Sequence, residues 1–262
     1  MKKWAFCLFC NEPFIEKAFQ TIYDCRTRGE WKDDIILLVS SGLFNRQDVK
    51  DMAVKLKVIL REIKDRSFDK IMEFWKKIPS HSQYNYIITH EFMYNKFHVF
   101  DSYFKQWDFI FYLDSGARIH GSLERMKQFE PDNCIYGHSD IYPNYTNTLS
   151  NQFDFTIMTP HEKFEILYNY NLSIDYFQGT MFIYDTQIIE ENTVERLFEL
   201  ANKYPSAIRM DQGILNLYFT CERKLWKQIP IKDKVGFLYD YHERPGFRGR
   251  DYLILKAMYG PY

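Results

Sequence analysis

The run Phe109-Ile110-Phe111-Tyr112-Leu113 passes directly into Asp114-Ser115-Gly116. Five consecutive apolar residues suit a buried strand and are too short for a typical helix. A carboxylate at the end of such a strand lies where open α/β sheets bind their ligands, beyond the carboxyl ends of the strands. Asp114 is therefore expected on the floor of an active site, and the rest of the chain should form an α/β layer structure around it.

The flanking pattern agrees. Trp4 to Phe9 reads as a first buried strand. Asn11 then reads as a helix cap, with Pro13 in the first turn where its missing N–H is harmless. Ile15, Ala18, Phe19 and Ile22 make the apolar face of that helix, Gly29 ends it, and Ile35 to Val39 is a second buried strand. Strand, helix and strand at this spacing form a parallel βαβ unit. Leu56 to Leu60 is expected as a third strand. Thr89 to Phe104 is expected as a helix, with Met93, Phe97, Phe100 and Phe104 on its core stripe. Lys96 lies one residue off that stripe, where an ordinary lysine is solvated.

Further on, Cys134-Ile135-Tyr136 reads as a short strand and Asp140 to Asp154 as a polar, aromatic loop of the kind that carries function. Met181 to Tyr184 is another buried strand. Asn192 with Glu195 resembles a capping box, followed by the apolar face Val194, Leu197, Phe198 and Ala201. Asp211 suits an N-cap, with Ile214, Leu215 and Tyr218 facing inward. Gly236 to Tyr239 is expected as a strand, followed by a basic, turn-rich stretch from Tyr241 to Arg250. No linker, repeat or low-complexity tract divides the 262 residues, so one domain is expected.

Composition narrows the partners. Lys+Arg 34 against Asp+Glu 35 gives a net charge of -1, which disfavours nucleic acid or a membrane surface as the main partner. The aromatic content of 18% fits both a large core and a sugar-binding cleft. The apolar run after Met1-Lys2-Lys3 is short, contains two cysteines and lacks a small-residue cleavage site, so it is not read as a signal peptide. No stretch has the length of a transmembrane helix. Five scattered cysteines fit a reducing compartment, and a cytoplasmic location is expected. Cys7 and Cys10 form a CxxC inside a strand-like run, better explained as core thiols than as a zinc or redox pair. No G-x-G-x-x-G follows the first strand, which argues against a dinucleotide site.

Four features in order resemble the nucleotide-sugar glycosyltransferases of the GT-A fold, most closely the glycogenin-like and galactosyltransferase group called family eight. They are the first βαβ unit with Asn11-Glu12-Pro13, the segment Tyr94-Asn95-Lys96-Phe97 before Tyr112-Leu113-Asp114, Phe177-Gln178-Gly179-Thr180, and Asp211-Gln212-Gly213-Ile214-Leu215-Asn216. The third is similar to the family's N-x-G and the fourth to its D-Q-D-x-L-N. The resemblance spans nearly the whole chain. It implies a single α/β domain with a mixed, mostly parallel central sheet flanked by helices. Residues 1–120 would be the nucleotide-binding half and residues 121–262 the acceptor-binding and catalytic half.

It also implies roles. Asn11, Lys96, Asp114, Ser115, Gly116, Gln178, Gly179, Arg244 and Arg248 would bind the donor. The family's D-x-D falls on Asp114-Ser115-Gly116, so its second carboxylate is missing. The family's metal-binding histidine would be His242, pairing with Asp114 on Mn²⁺ or Mg²⁺; alternatively Arg244, Arg248 and Arg250 replace the metal as counter-charge to the diphosphate. Gln212 would lie beneath the anomeric carbon of a retaining enzyme. An inverting displacement needs a carboxylate base, with Asp211, Asp175 and Asp140 as candidates. The implied activity is transfer of a sugar from a nucleotide diphosphate, foremost a UDP-sugar, to a hydroxyl acceptor on a glycan or glycoprotein. Two rivals remain: a degenerate domain that binds glycans or partners, and a sugar-phosphate nucleotidyltransferase. The latter would carry a Gly-rich basic loop where Cys10-Asn11-Glu12-Pro13 stands.

Overall fold

A computed structural model describes residues 2–64, 66–142, 146–240 and 248–256. Its main sheet has seven strands in the order β3-β2-β1-β4-β7-β6-β8. These are β1 (Trp4–Cys10), β2 (Asp34–Val39), β3 (Ile59–Glu62), β4 (Phe109–Leu113), β6 (Ile135–Ser139), β7 (Phe177–Asp185) and β8 (Trp226–Gln228). The strands β3, β2, β1 and β4 run parallel, and β6 runs parallel to β8. Only β7 is antiparallel to its neighbours, β4 and β6. A second sheet joins β5 (Arg118–Ile119), β10 (Tyr252–Leu255) and β9 (Phe237–Asp240) in that order.

The central strands are buried on both faces, which explains their unbroken apolar runs. Along β1, Ala5, Cys7 and Phe9 face one core, while Trp4, Phe6, Leu8 and Cys10 face the other. Cys7 and Cys10 therefore sit on opposite faces of one strand and cannot share a metal or form a pair. Burial pushes both thiols up, Cys10 to about 12. The first core lies between the sheet and the helices Asp69–Lys76, Tyr84–His90, Thr193–Lys203 and Asp211–Asn216. The second lies beneath the helices Ile15–Thr27 and Gln47–Lys55 and the smaller sheet.

Several local expectations need correction. The third strand starts at Ile59, because the helix from Gln47 runs on to Lys55 and turns through Lys57 at φ 54°. The stretch expected as one helix from Thr89 to Phe104 is an α-helix ending at His90, then 3-10 helices Glu91–Phe100 and Ser102–Gln106. Every residue from Tyr94 to Phe100 is buried, so this segment has no solvated edge and Lys96 is 2% exposed. The strand read at Cys134 begins at Ile135 and extends to Ser139, delivering Asp140 to the sheet edge.

The three predicted caps are also absent. Asn11 makes no side-chain cap bond, and neither does Asn192; Glu195 instead pairs with Arg66. Asp211 is the first residue of its helix, preceded by Met210 at φ 45°. A non-glycine residue in that region costs about 1–2 kcal/mol, a strain that this fold accepts in order to aim Asp211 inward.

The aromatic stack beneath the site fixes β4 against β7. Phe182 is fully buried, with its ring 4.6 Å from Tyr112 and 5.5 Å from Phe100. Phe182→Ala should lower stability by about 3–5 kcal/mol in a guanidinium titration; a loss below about 1 kcal/mol would show that the stack does not organise the sheet.

Candidate functional site

The parallel strands end at a cavity of about 500 Å³. Phe9, Asn11 and Phe14 line it at the end of β1, Asp114 and Ser115 at the end of β4, and Gly179 and Thr180 on β7. Asp211 and Gln212 close it beside Asp140. An aromatic wall rises opposite. Tyr86 stacks on His90 with ring centres 4.4 Å apart, and Phe92 lies within 6.3 Å of Phe9 and 6.0 Å of Phe14.

Lys96 forms the centre of the polar floor. Its Nζ lies 2.7 Å from Asp211 Oδ2 and 3.1 Å from Asp114 Oδ1. It also donates to the Gly179 carbonyl at 3.1 Å. Burial alone would pull its pKa down, but Asp114 and Asp211 outweigh it and hold the ammonium above the ordinary lysine value. Burial pushes Asp211 up, opposed by Lys96 and reinforced by the nearby Asp114. Asp114 accepts a further hydrogen bond from the Tyr112 hydroxyl at 2.6 Å. Tyr112 is itself raised, by burial first and then by Asp114.

The two motif segments from the second half of the chain interlock. Gln212 Oε1 accepts from the Gly179 N–H at 3.0 Å, while its Nε2 donates to Asp140 Oδ2 at 3.1 Å and Gln152 Oε1 at 3.2 Å. A Cβ on residue 179 would stand 3.0 Å from Asp211 Oδ2, so a side chain there would press on the carboxylate that Lys96 holds. Buried Asn216 holds both backbone groups of Phe177, accepting from its N–H at 3.0 Å and donating to its carbonyl at 2.8 Å. The asparagine that ends the motif is thus a clamp on the start of β7.

Other expected residues lie elsewhere. Gln178 is buried away from the cavity lining and accepts from the Tyr239 hydroxyl at 3.0 Å. Asp175 also lies off the lining and accepts from the Ser139 hydroxyl at 2.7 Å. Gly116 is turned away, its N–H donating to Thr21 Oγ1 at 3.0 Å. Arg248 and Arg250 are exposed and do not line the cavity, while His242 and Arg244 lie outside the described residues. In their place the cavity holds Lys17, Arg209 and Lys256, none of which lay in a motif. Lys256 donates to the Ser115 carbonyl, and burial depresses its pKa.

Among the described residues, which do not include His242, the set does not fit the metal implied by the resemblance. A divalent ion needs several free oxygen ligands. Asp114 Oδ1 is shared by Lys96 and Tyr112, the Ser115 carbonyl is taken by Lys256, and residue 116 has no side chain and φ 85°. Among the described residues no three His, Cys, Asp or Glu side chains converge as a metal site.

Neither a protein-family model nor a curated protein matches the chain. Solved structures do. WbbM, a bifunctional glycosyltransferase in its apo form, aligns over 99% of this chain with TM-score 0.63 and 14% identity. The galactosyltransferase LgtC, in complex with donor and acceptor sugar analogs, aligns over 98% with TM-score 0.58 and 12% identity. The fold is GT-A. The mannosyltransferase Ktr4p from S. cerevisiae, in complex with GDP, shares the GT-A fold over 87% of this chain, with TM-score 0.57 and 11% identity. This chain spans 46% of WbbM, about half its length, 87% of LgtC and 69% of Ktr4p. No helix among the described residues is long and apolar enough to cross a membrane.

Removing Lys96 should expose how much of the GT-A site depends on it. Lys96→Met leaves two carboxylates near one another without their counter-ion and should cost about 3–5 kcal/mol of stability. Adding Asp211→Asn should recover part of that loss, read as denaturation midpoints of the single and double variants. No recovery in the double variant would show that the ion pair is not the source of the cost.

Proposed function

We propose that this chain is a glycosyltransferase that moves a sugar from a nucleoside diphosphate donor to a hydroxyl acceptor. The observation that carries the reading is the convergence of Lys96, Asp114, Gly179, Asp211 and Gln212 at the carboxyl edge of a GT-A sheet. UDP is the nucleotide favoured by the resemblance. The cavity draws Asn11, Lys17, Lys96 and Asp114 from residues 1–120 and Gly179, Asp211, Gln212 and Lys256 from residues 121–262, which supports treating the chain as one domain with a shared site.

In this reading the base lies toward Phe9, Asn11 and the aromatic wall. Asn11 Oδ1 is buried without a hydrogen-bond partner, so a ligand N–H would satisfy it. The diphosphate lies across the Asp114-Ser115 turn, and the sugar lies over Gly179, where the absence of a Cβ lets the donor approach the backbone. As the anomeric C–O bond breaks, its electron pair goes to the leaving diphosphate, and fixed cations in the cavity stabilise the charge that develops. The acceptor oxygen forms the new bond to the anomeric carbon.

Among the carboxylates considered as base, Asp211 is committed to Lys96 and Asp175 lies off the cavity lining. Asp140 lines the cavity and has no cationic partner among the described residues, so it is the proposed acceptor of the hydroxyl proton in an inverting reaction. Gln212 is held by its amide at both ends and acts by positioning Gly179 and Asp140 rather than as a nucleophile. A retaining course, with the departing phosphate oxygen taking the proton, uses the same cavity without Asp140 as base. The product's anomeric configuration separates the two courses.

Calorimetry with UDP- and GDP-sugars followed by donor hydrolysis tests the reading. Asp114→Ala should reduce donor turnover by about 100-fold or more, and near-normal turnover would show the site to be misplaced. Asp140→Asn should lower transfer to an acceptor while leaving donor binding within about twofold; equal losses in both would assign Asp140 to donor binding instead.

A further inference from the structure

A hydrogen-bond chain behind Asp140 carries a second inference, which rests on the reading of Asp140 as the base. It starts at a group whose direction is fixed. The Gly179 N–H can only donate, so the Gln212 atom 3.0 Å from it is the side-chain oxygen. That leaves the Gln212 amide nitrogen facing Asp140 Oδ2 at 3.1 Å and Gln152 Oε1 at 3.2 Å, and these two acceptors use both of its hydrogens. Gln152 is thereby set with its oxygen toward Gln212 and its nitrogen toward Tyr176, to whose hydroxyl oxygen it donates at 3.0 Å. The Tyr176 hydrogen is left for the Asp140 carboxylate beside it. Turning either amide over would set an N–H against another N–H, so the whole chain runs in one sense and ends on Asp140.

Tyr176 and Gln152 stand behind the carboxylate rather than in the cavity. They are 2% and 3% exposed and neither lines it, whereas Asp140 and Gln212 do. The backbone holds the tyrosine against Asp140. Just beyond the Ser139–Phe177 pair of β6 and β7, the Asp140 N–H donates to the Tyr176 carbonyl at 3.0 Å. Asp175 fastens the same corner, its Oδ1 accepting from the Ser139 hydroxyl and from the Tyr176 N–H, both at 2.7 Å. Gln152 is tied through its own carbonyl, which accepts from the Ile208 N–H at 3.0 Å. Burial, and after it Asp140, raises the Tyr176 hydroxyl, which therefore keeps its hydrogen at neutral pH.

A reacting side chain keeps its geometry only when buried neighbours lock it from behind. We propose that Tyr176, itself oriented by Gln152, is a positioning residue that holds the Asp140 carboxylate turned into the cavity to take the acceptor's proton. In the step it serves, the acceptor oxygen bonds to the anomeric carbon and its proton passes to Asp140. The bond from that carbon to the diphosphate oxygen breaks, and its electron pair leaves with the diphosphate. Neither Tyr176 nor Gln152 touches the substrate. Asp175, a candidate base in the sequence, serves instead by anchoring Tyr176.

Donor hydrolysis by the full chain, with water as the acceptor, tests the proposal on UDP-galactose, UDP-glucose and GDP-mannose, read as release of the nucleoside diphosphate. On the donor that is turned over, Tyr176→Phe should lower kcat by about tenfold and leave the donor KM within about twofold. In an Asp140→Asn background the same substitution should change the rate by less than about twofold, because no base is left to position. A loss caused by disturbed packing would recur in both backgrounds. Gln152→Met should lower kcat by about threefold and be equally silent beside Asp140→Asn, which keeps the test open if melting curves show Tyr176→Phe to be unfolded. A Tyr176→Phe rate within about twofold of the unmodified chain, or a loss repeated in the Asp140→Asn background, would overturn the proposal while leaving Asp140 as the base. An unchanged rate in Asp140→Asn alone would overturn the base reading and this inference with it, leaving the donor reading intact. Turnover of none of the three donors would overturn all of them together.

Discussion

The site depends on one ammonium buried between two carboxylates. Lys96 joins Asp114 at the end of β4, Asp211 at the start of a helix, and the carbonyl of Gly179 on β7. Withdrawing these charges from water is costly, and a buried ion pair seldom stabilises a fold more than apolar packing would. What the arrangement provides is position. Three segments from distant parts of the chain are fixed relative to one another at hydrogen-bonding distance, and the strain at Met210 is accepted to complete it.

Around that centre the sheet topology divides the labour. The parallel strands β1 and β4 bring Asn11 and Asp114 to one edge, as open α/β sheets do. Because β7 runs antiparallel to β4, its beginning reaches the same edge, and Gly179 arrives beside Asp114 rather than at the far end of the sheet. The Asp114 N–H donates to the Thr180 carbonyl at 2.8 Å, locking the two together. Gln212 and Asn216 then secure β7, through its backbone, to the helix Asp211–Asn216. The cavity is built by backbone-directed amides as much as by charge.

The second sheet contributes the cationic side. By pairing with β5, immediately after the Asp114-Ser115-Gly116 turn, β10 carries Lys256 to the Ser115 carbonyl. Lys17 approaches from a different layer.

Much of this was legible in the chain. Unbroken apolar runs marked β1, β2 and β4, because a strand buried on both faces has no polar face to show. The spacing of the first elements marked the parallel unit, and the end of the Phe109–Leu113 run placed Asp114. Order and spacing of the Gln178-Gly179 and Asp211-Gln212 segments indicated that they act together. Caps were misread at Asn11, Asn192 and Asp211, since a polar residue before an apolar run looks alike whether it bonds its own helix or faces a cavity. Periodicity put Lys96 on the edge of its core stripe because it assumes one exposed face, whereas every residue from Tyr94 to Phe100 is buried. The sequence by itself determined the strands, the class of sheet and the carboxylate at its edge, for these follow from local burial patterns. Only the tertiary structure decided that Lys96 would be shared by two acids and that Lys256 would meet the Ser115 carbonyl. Those contacts join residues far apart in the chain, and no local spacing records which distant partner a lysine will meet.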